Sequence, residues 1–384
     1  MTDFLARAEA LAPRIAASSD EIERERRLPQ ALVDALHAAR LYRLLLPRSL
    51  GGGEIELPDF MRVIETVATA DASTAWCLAQ NNVASIVAAW LPPDAAREIF
   101  GPDDAVVAWG PGPARADIVP GGYRVSGSWA FASGSRQATW LGAHLPVFDG
   151  GKPVCDASGA PVERTVLFPA GAAPLRDIWH VVGLRGTGSD AYEVKDLFVP
   201  EKFSCIRDVP EGKHEAGPLY DMTTHLLFAC GFAAVALGIA RGLVDALVAL
   251  LAEKTPRGYR GKLRDSAATQ TDLAIAEARL RAARMYLYGT AEEAWHAVGR
   301  DRGFAMAQRM AIRLAATHVI AEAAAVADAA YHAAGATAIF AGGAFERRFR
   351  DMHALAQQVQ ARRTHYETVG RYLLGFSDAD LQFL

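Results

Sequence analysis

A chain of 384 residues, 51% of them hydrophobic, can bury a large core and is long enough for two or three domains. Its 40 basic and 44 acidic residues leave a formal charge of -4, which gives no basic field for nucleic acid or an anionic membrane and leaves small-molecule chemistry as the expectation. The four cysteines, Cys77, Cys155, Cys205 and Cys230, are widely spaced without a Cys-x-x-Cys pair, so neither a zinc site nor a disulfide framework is expected.

The N-terminus places Asp3 early and has no uninterrupted apolar run, unlike a signal peptide. Ala321 to Ala334 is interrupted by Glu322, Asp328 and His332, short of the roughly 20 apolar residues of a membrane helix, so a cytoplasmic protein is expected. From Phe4 to about Arg40 apolar residues recur at helical spacing, with Pro29 opening a second helix. The run from Leu41 to Gly53 ends in three glycines and reads as a loop. Pro58, Asp59 and then Phe60, Val63, Ile64 and Val67 form an amphipathic helix, interrupted at Ala70-Asp71-Ala72-Ser73. Thr74 to Leu91 is a more buried helix that stops at Pro92-Pro93.

After Gly101 the pattern changes to short strands separated by Gly and Pro, and a β domain is expected over 104–212. Val106 to Trp109 is a strand, followed by the turn Gly110-Pro111-Gly112-Pro113 and a loop with Arg115. In Gly122-Tyr123-Arg124-Val125-Ser126-Gly127-Ser128-Trp129-Ala130-Phe131-Ala132-Ser133-Gly134, period two puts Tyr123, Val125, Trp129 and Phe131 on one face. Ser133-Gly134 then offers small side chains and free backbone N–H groups. Strands follow at Thr139 to Phe148, Arg164 to Phe168 and Tyr192 to Val199, with Gly183-Leu184-Arg185-Gly186-Thr187-Gly188-Ser189 between the last two. From Leu219 the chain is helical again, broken near Pro256-Arg257-Gly258, Gly299 to Gly303 and Gly335 to Gly343, so four long helices fit. Leu273, Ala276, Leu280, Ala283 and Leu287 advance by three and four, the seam of a helix packed lengthwise on another.

No metal-ligand pair, hydrolase nucleophile or P-loop stands out, and the glycines of 183–188 lack the helix of a dinucleotide fingerprint. Of ten dispersed histidines, His353 and His365 are the ones worth weighing.

The Trp129 strand with its Ser-Gly ending, and Trp179 with Gly183 to Ser189 and Asp196-Leu197-Phe198-Val199-Pro200, resemble the acyl-CoA dehydrogenase superfamily. The first motif is most similar to the superfamily's flavin-dependent monooxygenases. The resemblance implies an N-terminal helical domain (1–103), a β-barrel-like middle domain (104–212) and a C-terminal four-helix bundle (213–384), a mainly α protein around a central β domain. It implies an oxidoreductase flavoprotein using FAD or FMN, a homotetramer, and a separate flavin reductase or electron carrier as partner. In that mechanism reduced flavin reacts with oxygen and a small organic, possibly aromatic, substrate is oxygenated.

Carried over residue by residue, the resemblance makes Trp109, Gly110, Arg115, Trp129, Phe131, Ser133, Arg257 and Gly335 cofactor-binding candidates and Ser133 and Gln358 catalytic ones. Arg115 serves a phosphate by charge or is a solvated loop arginine, and Gly335 approaches the cofactor or caps a helix. Two departures keep alternatives open. Nine residues after Arg350, where dehydrogenases of the commonest type place the carboxylate that removes a proton, stands Val359. Where the monooxygenases often have histidines stands Gln358, and no histidine lies between Thr74 and Pro93. An acyl-CoA dehydrogenase and a non-catalytic flavin- or ligand-binding homologue are the alternatives.

Overall fold

Helix-spaced apolar residues build the first hundred residues into α1 (Asp3–Ala17), α2 (Ser19–Glu25), α3 (Gln30–Ala38), α4 (Leu57–Ala70), α5 (Ala72–Ser85) and α6 (Pro93–Phe100). The structure is a computed structural model that describes residues 3–157, 159–301, 303–376 and 383–384; Met1 and Thr2 of the opening stretch lie outside them. Asp71 makes the expected break between α4 and α5: its backbone is extended, and its carboxylate accepts from Thr74 N (2.7 Å) and Thr74 Oγ1 (2.8 Å). Because α5 is buried on nearly every face, its polar side chains, Ser73, Thr74, Asn81, Asn82 and Ser85 among them, must find partners inside the protein.

The middle of the chain forms β1 (Val107–Ala108), β2 (Ala114–Val119), β3 (Gly122–Ala132), β4 (Trp140–Asp149), β5 (Lys152–Pro153), β6 (Glu163–Pro169), β7 (Leu175–Arg176), β8 (Asp190–Pro200) and β9 (Ser204–Cys205). They make one mixed sheet, ordered β7-β8-β3-β2-β4-β6-β9, with β1 and β5 also paired to β4. The β2–β4 and β1–β4 pairs are parallel and the others antiparallel. Strand β2 replaces the expected Arg115 loop. Its alternation is masked by Arg115 and Asp117, and it is held by full antiparallel register with β3 from Ala114↔Gly127 to Val119↔Gly122.

The C-terminal helices are α7 (Thr224–Glu253), α8 (Ala267–Asp301), α9 (Met306–Ala334), α10 (Ala344–Leu355) and α11 (Thr364–Leu373). Ala276, Leu280, Ala283 and Leu287 are buried along α8 as the seam requires. The breaks fall where expected, but the fourth long helix is replaced by two short ones. After Leu355 the Gln358 side chain accepts from Gln360 N at 2.7 Å, a local turn that competes with helix continuation. Helices α7 and α9 are long and apolar enough to cross a membrane by length and composition; here most of their apolar surface is buried against neighbouring helices.

Candidate active site

Strand β3 carries two aromatic residues, and the register sends them opposite ways. Trp129 pairs with Tyr192, but the next pair is Ala132↔Asp190, so Ala130 and Phe131 together face one residue of β8. That is a β-bulge, and Phe131 takes a φ of 59°, in the left-handed region. The expected common face is therefore broken. Trp129 is 1% exposed, stacked on Tyr192 at 5.1 Å beside Phe168, and Phe131 is 63% exposed. Trp129 is thus packed in the core, on the opposite side of the bulge from Phe131. Phe131 stands edge-on to Trp179 (5.9 Å, 83°), whose indole donates to Leu184 O at 3.0 Å. Exposed Ile178 and Val182 flank Trp179 in sequence, giving an apolar shelf of the kind that something flat covers.

Beyond the bulge the chain turns inward at Ser133. The backbone N–H groups expected to be free are used: Ser133 N donates to Phe131 O and Gly134 N to Thr187 O, both at 2.9 Å. The side chains form a directed series. Trp76 Nε1 donates to Ser133 Oγ (2.9 Å), Ser133 and Ser189 hydroxyls share a bond (2.8 Å), Ser189 and Thr187 share another (2.7 Å), and Thr187 Oγ1 donates to Leu184 O (2.9 Å). A hydroxyl has one proton, so the donor at Thr187 fixes the direction of the whole series. Ser133 accepts from Trp76, gives its proton to Ser189, and has one lone pair left. Asn81 braces the turn, donating to Val107 O (3.0 Å) and Ser133 O (3.3 Å), and its Oδ1, lying against Gly134, is buried without a partner.

The far end of the series is held by the C-terminal helices. Asp351 Oδ1 accepts from Leu184 N at 2.6 Å, and Arg350 donates to Val182 O. A Cβ on Gly183 would overlap the Arg350 carbonyl, so glycine is required by close approach. Burial pushes the Asp351 carboxyl up to about 7, with Asp71 and Glu23 adding to it against the pull of the Leu184 N–H. The Arg-Asp pair and the Gly183 to Ser189 run, far apart in sequence, thus form one unit behind Ser133.

The other candidates are scattered. Trp109 is buried, edge-on to His144 (4.8 Å), with Arg207 over its ring (5.9 Å). Gly110 is needed for close approach, since a Cβ would overlap Ala130 O while Ala130 N donates to Pro111 O (3.1 Å). Arg115 lies on β2 rather than in the expected loop, exposed, ion-paired with Asp117 and over the Phe148 ring at 4.2 Å. Gln358 lies outside any helix; its Oε1 accepts from Gln360 N and its Nε2 is buried without a partner among the described residues. Arg257 is exposed in the α7–α8 connection. Gly335 follows α9 with a φ of 58°, next to Lys254, which donates to Ala334 O (2.6 Å) and Thr337 Oγ1 (2.8 Å). His353 pairs with Asp328 (2.9 Å), and His365 Nε2 bonds Val359 O (2.8 Å).

Family models agree with this architecture: the acyl-CoA dehydrogenase N-terminal domain matches residues 5–96 and the C-terminal domain residues 230–363. Indole-3-acetate monooxygenase of Pseudomonas putida is 31% identical over 358 residues, covering 92% of this chain and 89% of that one. The chain belongs to the acyl-CoA dehydrogenase superfamily, among its flavin-dependent monooxygenases. The HsaA oxygenase subunit of a flavin-dependent monooxygenase from Rhodococcus jostii is 29% identical, over 91% of this chain and 92% of that one. XiaF from a Streptomyces species, solved with FADH2 and glycerol, superposes with a TM-score of 0.88 at 25% identity, covering 97% and 95% of the two chains.

The residues present fit the superfamily's flavin. The exposed Phe131–Trp179 shelf suits a flat ring, and the orphaned Asn81 Oδ1 and the spare Ser133 lone pair are acceptors for ring N–H groups. The sequence motif singled out Ser133 and Phe131 but not Trp76, Asn81, Ser189 and Thr187, which surround Ser133. Trp76 and Asn81 sit in a helix that reads only as buried; its polar side chains, among them Asn81 and Asn82 side by side, were the available signal, since each must find a partner inside the protein.

Proposed function

We propose that this protein is the oxygenase component of a two-component flavin-dependent monooxygenase acting on a small aromatic substrate. Reduced FAD or FMN would come from a separate reductase. The observation that carries this is the outward Phe131 next to the saturated Ser133 series, joined to the lack of a carboxylate at Val359. Bound and reduced, a flavin supplies two electrons, by which one atom of dioxygen enters the substrate and the other leaves as water. Phe131 and Trp179 would hold the ring, and Ser133, whose proton is given to Ser189, would accept a hydrogen bond without offering one. Trp76 stacks on Phe232 (3.9 Å, 5°) and Phe232 on Phe228 (5.7 Å), an aromatic wall that excludes water. Burial and the charge of Arg207 push His144 well down and His225 to about 4, so both are neutral hydrogen-bonding groups at pH 7.

The relatives support an aromatic substrate, since indole-3-acetate is named for one of them, and the FADH2 of XiaF supports a reduced flavin. The finer assignments are part of the proposal: a cytoplasmic homotetramer, with domains at 1–103, 104–212 and 213–384. Exposed apolar side chains on the helical domain, Ile275 and Met285 on α8 and Ile339, Phe340, Leu373 and Leu374 beyond α9, support association. Exposed Arg257 and Gly335, both near Lys254 in sequence or space, are the candidates to reach the flavin of a neighbouring subunit.

The test supplies the protein with anaerobically reduced FAD or FMN, indole-3-acetate or 4-hydroxyphenylacetate, and 18O-labelled dioxygen. The expected product carries one labelled atom. Anaerobic bleaching of bound oxidised flavin by acyl-CoA compounds, with no label incorporated, would overturn the reading in favour of a dehydrogenase.

A further inference from the structure

Arg313, on α9, is 0% exposed, and among the described residues no carboxylate lies within 4.0 Å of its guanidinium. Nη1 donates to Gln360 Oε1 at 2.6 Å, Nη2 donates to the Phe383 main-chain carbonyl, and Nε is buried without a partner. Neutral acceptors repay only part of the cost of burying a guanidinium, and burial pulls it down to about 10. A second buried donor, Gln358 Nε2, is also unpartnered, two residues from the Gln360 that Arg313 holds. The Phe383 ring stands edge-on to His225 (5.5 Å, 89°) and to His365 (5.9 Å, 77°). One residue thus puts an aromatic ring against two imidazoles and an oxygen on a buried cation, the layout of an aromatic ring linked to a carboxylate.

We propose that Arg313 receives the carboxylate of an aromatic acid, whose ring displaces Phe383 beside His225. The inference deepens the monooxygenase reading and rests on it, by naming the substrate class of that site. Along α7, His225, Phe228 and Phe232 share a face at three- and four-residue spacing, and Phe232 stacks on Trp76, the donor to Ser133. From His225 to Phe232 seven residues of helix span about 10 Å, the scale of a small aromatic acid laid along this face. Among the described residues Arg207, Asp208 and Arg313 are the charges that act on His225, two positive and one negative, a balance that favours an anion.

Calorimetric binding to the flavin-free full-length chain tests this with two pairs, indole-3-acetate against indole-3-acetamide and 4-hydroxyphenylacetate against its amide. The acids should bind about tenfold or more tighter than the amides, as charge-assisted pairing to a buried arginine requires. Arg313→Met should erase that ratio while leaving amide affinity within about twofold. Phe383→Ala should tighten the acids several-fold and keeps the inference falsifiable if Arg313→Met does not fold. Equal binding of acid and amide, binding of neither, or loss of both in Arg313→Met, as for an arginine that merely anchors the Phe383 segment, overturns the proposal. Because flavin is absent, the outcomes separate. Acid preference without 18O incorporation removes the monooxygenase reading, whereas label incorporated into neutral phenols without acid preference removes only this one.

Discussion

Ser133 and Arg313 anchor two buried polar regions with opposite bookkeeping. Around Ser133 every hydroxyl proton has an acceptor, the groups are neutral, and the series runs in one direction from Trp76 to the Leu184 carbonyl. Around Arg313 a full charge is buried on neutral acceptors and two donors, Arg313 Nε and Gln358 Nε2, have none. A saturated network is rigid without a ligand and serves to position one; an unsaturated charge costs stability until a ligand supplies the missing partner. The first region therefore offers a ligand only fixed acceptors, whereas the second offers it an unmatched charge.

The largest effect that would break this comparison lies in the core behind the series. Trp129→Ala should cost about 3–5 kcal/mol in urea denaturation, the loss expected for a large buried aromatic, while Phe131→Ala, one bulge away, should cost less than about 1 kcal/mol. Equal costs would mean that the bulge does not separate the two rings. Next is Asp351, where the series meets the helices. Its folded carboxyl lies near 7, above its ordinary 3.8, so the folded state binds a proton more tightly than the unfolded one. That contribution is complete below about pH 4 and is lost as pH rises through 7, on the order of 4 kcal/mol across the window. Asp351→Asn keeps an acceptor for Leu184 N–H and removes the titration. Its stability relative to the native protein should therefore rise from pH 5 to pH 8, and a constant difference would contradict the assignment. Ser189→Ala, which strands a proton and an acceptor inside the series, should cost about 1–3 kcal/mol. The smallest effect is at Arg115, whose pair with Asp117 is exposed and screened by solvent, so Arg115→Ala should leave the denaturation midpoint almost unmoved.

Much of this architecture was legible because it depends on local signals. The Asp71 break, the α8 seam and the helix boundaries near Pro256, Gly299 and Gly335 follow from caps, periodicity and glycine, and the Trp129 and Gly183 motifs carried the superfamily. What escaped depends on pairing across the fold. Period two assigned Trp129 and Phe131 to one face because an extra residue in β3 can be recognised only against β8. Strand β2 was hidden by its charged, half-exposed residues, which pair with β3 at full register all the same. Gln358 was counted along a helix that ends at Leu355, where its own side chain closes a turn. The spacing of apolar residues does not single out Arg313; only its full enclosure, with no carboxylate within 4.0 Å among the described residues, sets it apart.

The central claim is that Phe131, put on the surface by the bulge, holds a reduced flavin in front of Ser133. Anaerobic titration of FADH2 or reduced FMN into the native protein and Phe131→Ala, with thermal stability recorded for both, tests it most directly. The account predicts saturable binding that weakens about tenfold or more in the variant while the melting temperature holds. Equal affinity in the two proteins, or no binding of reduced flavin to the native chain, would contradict it.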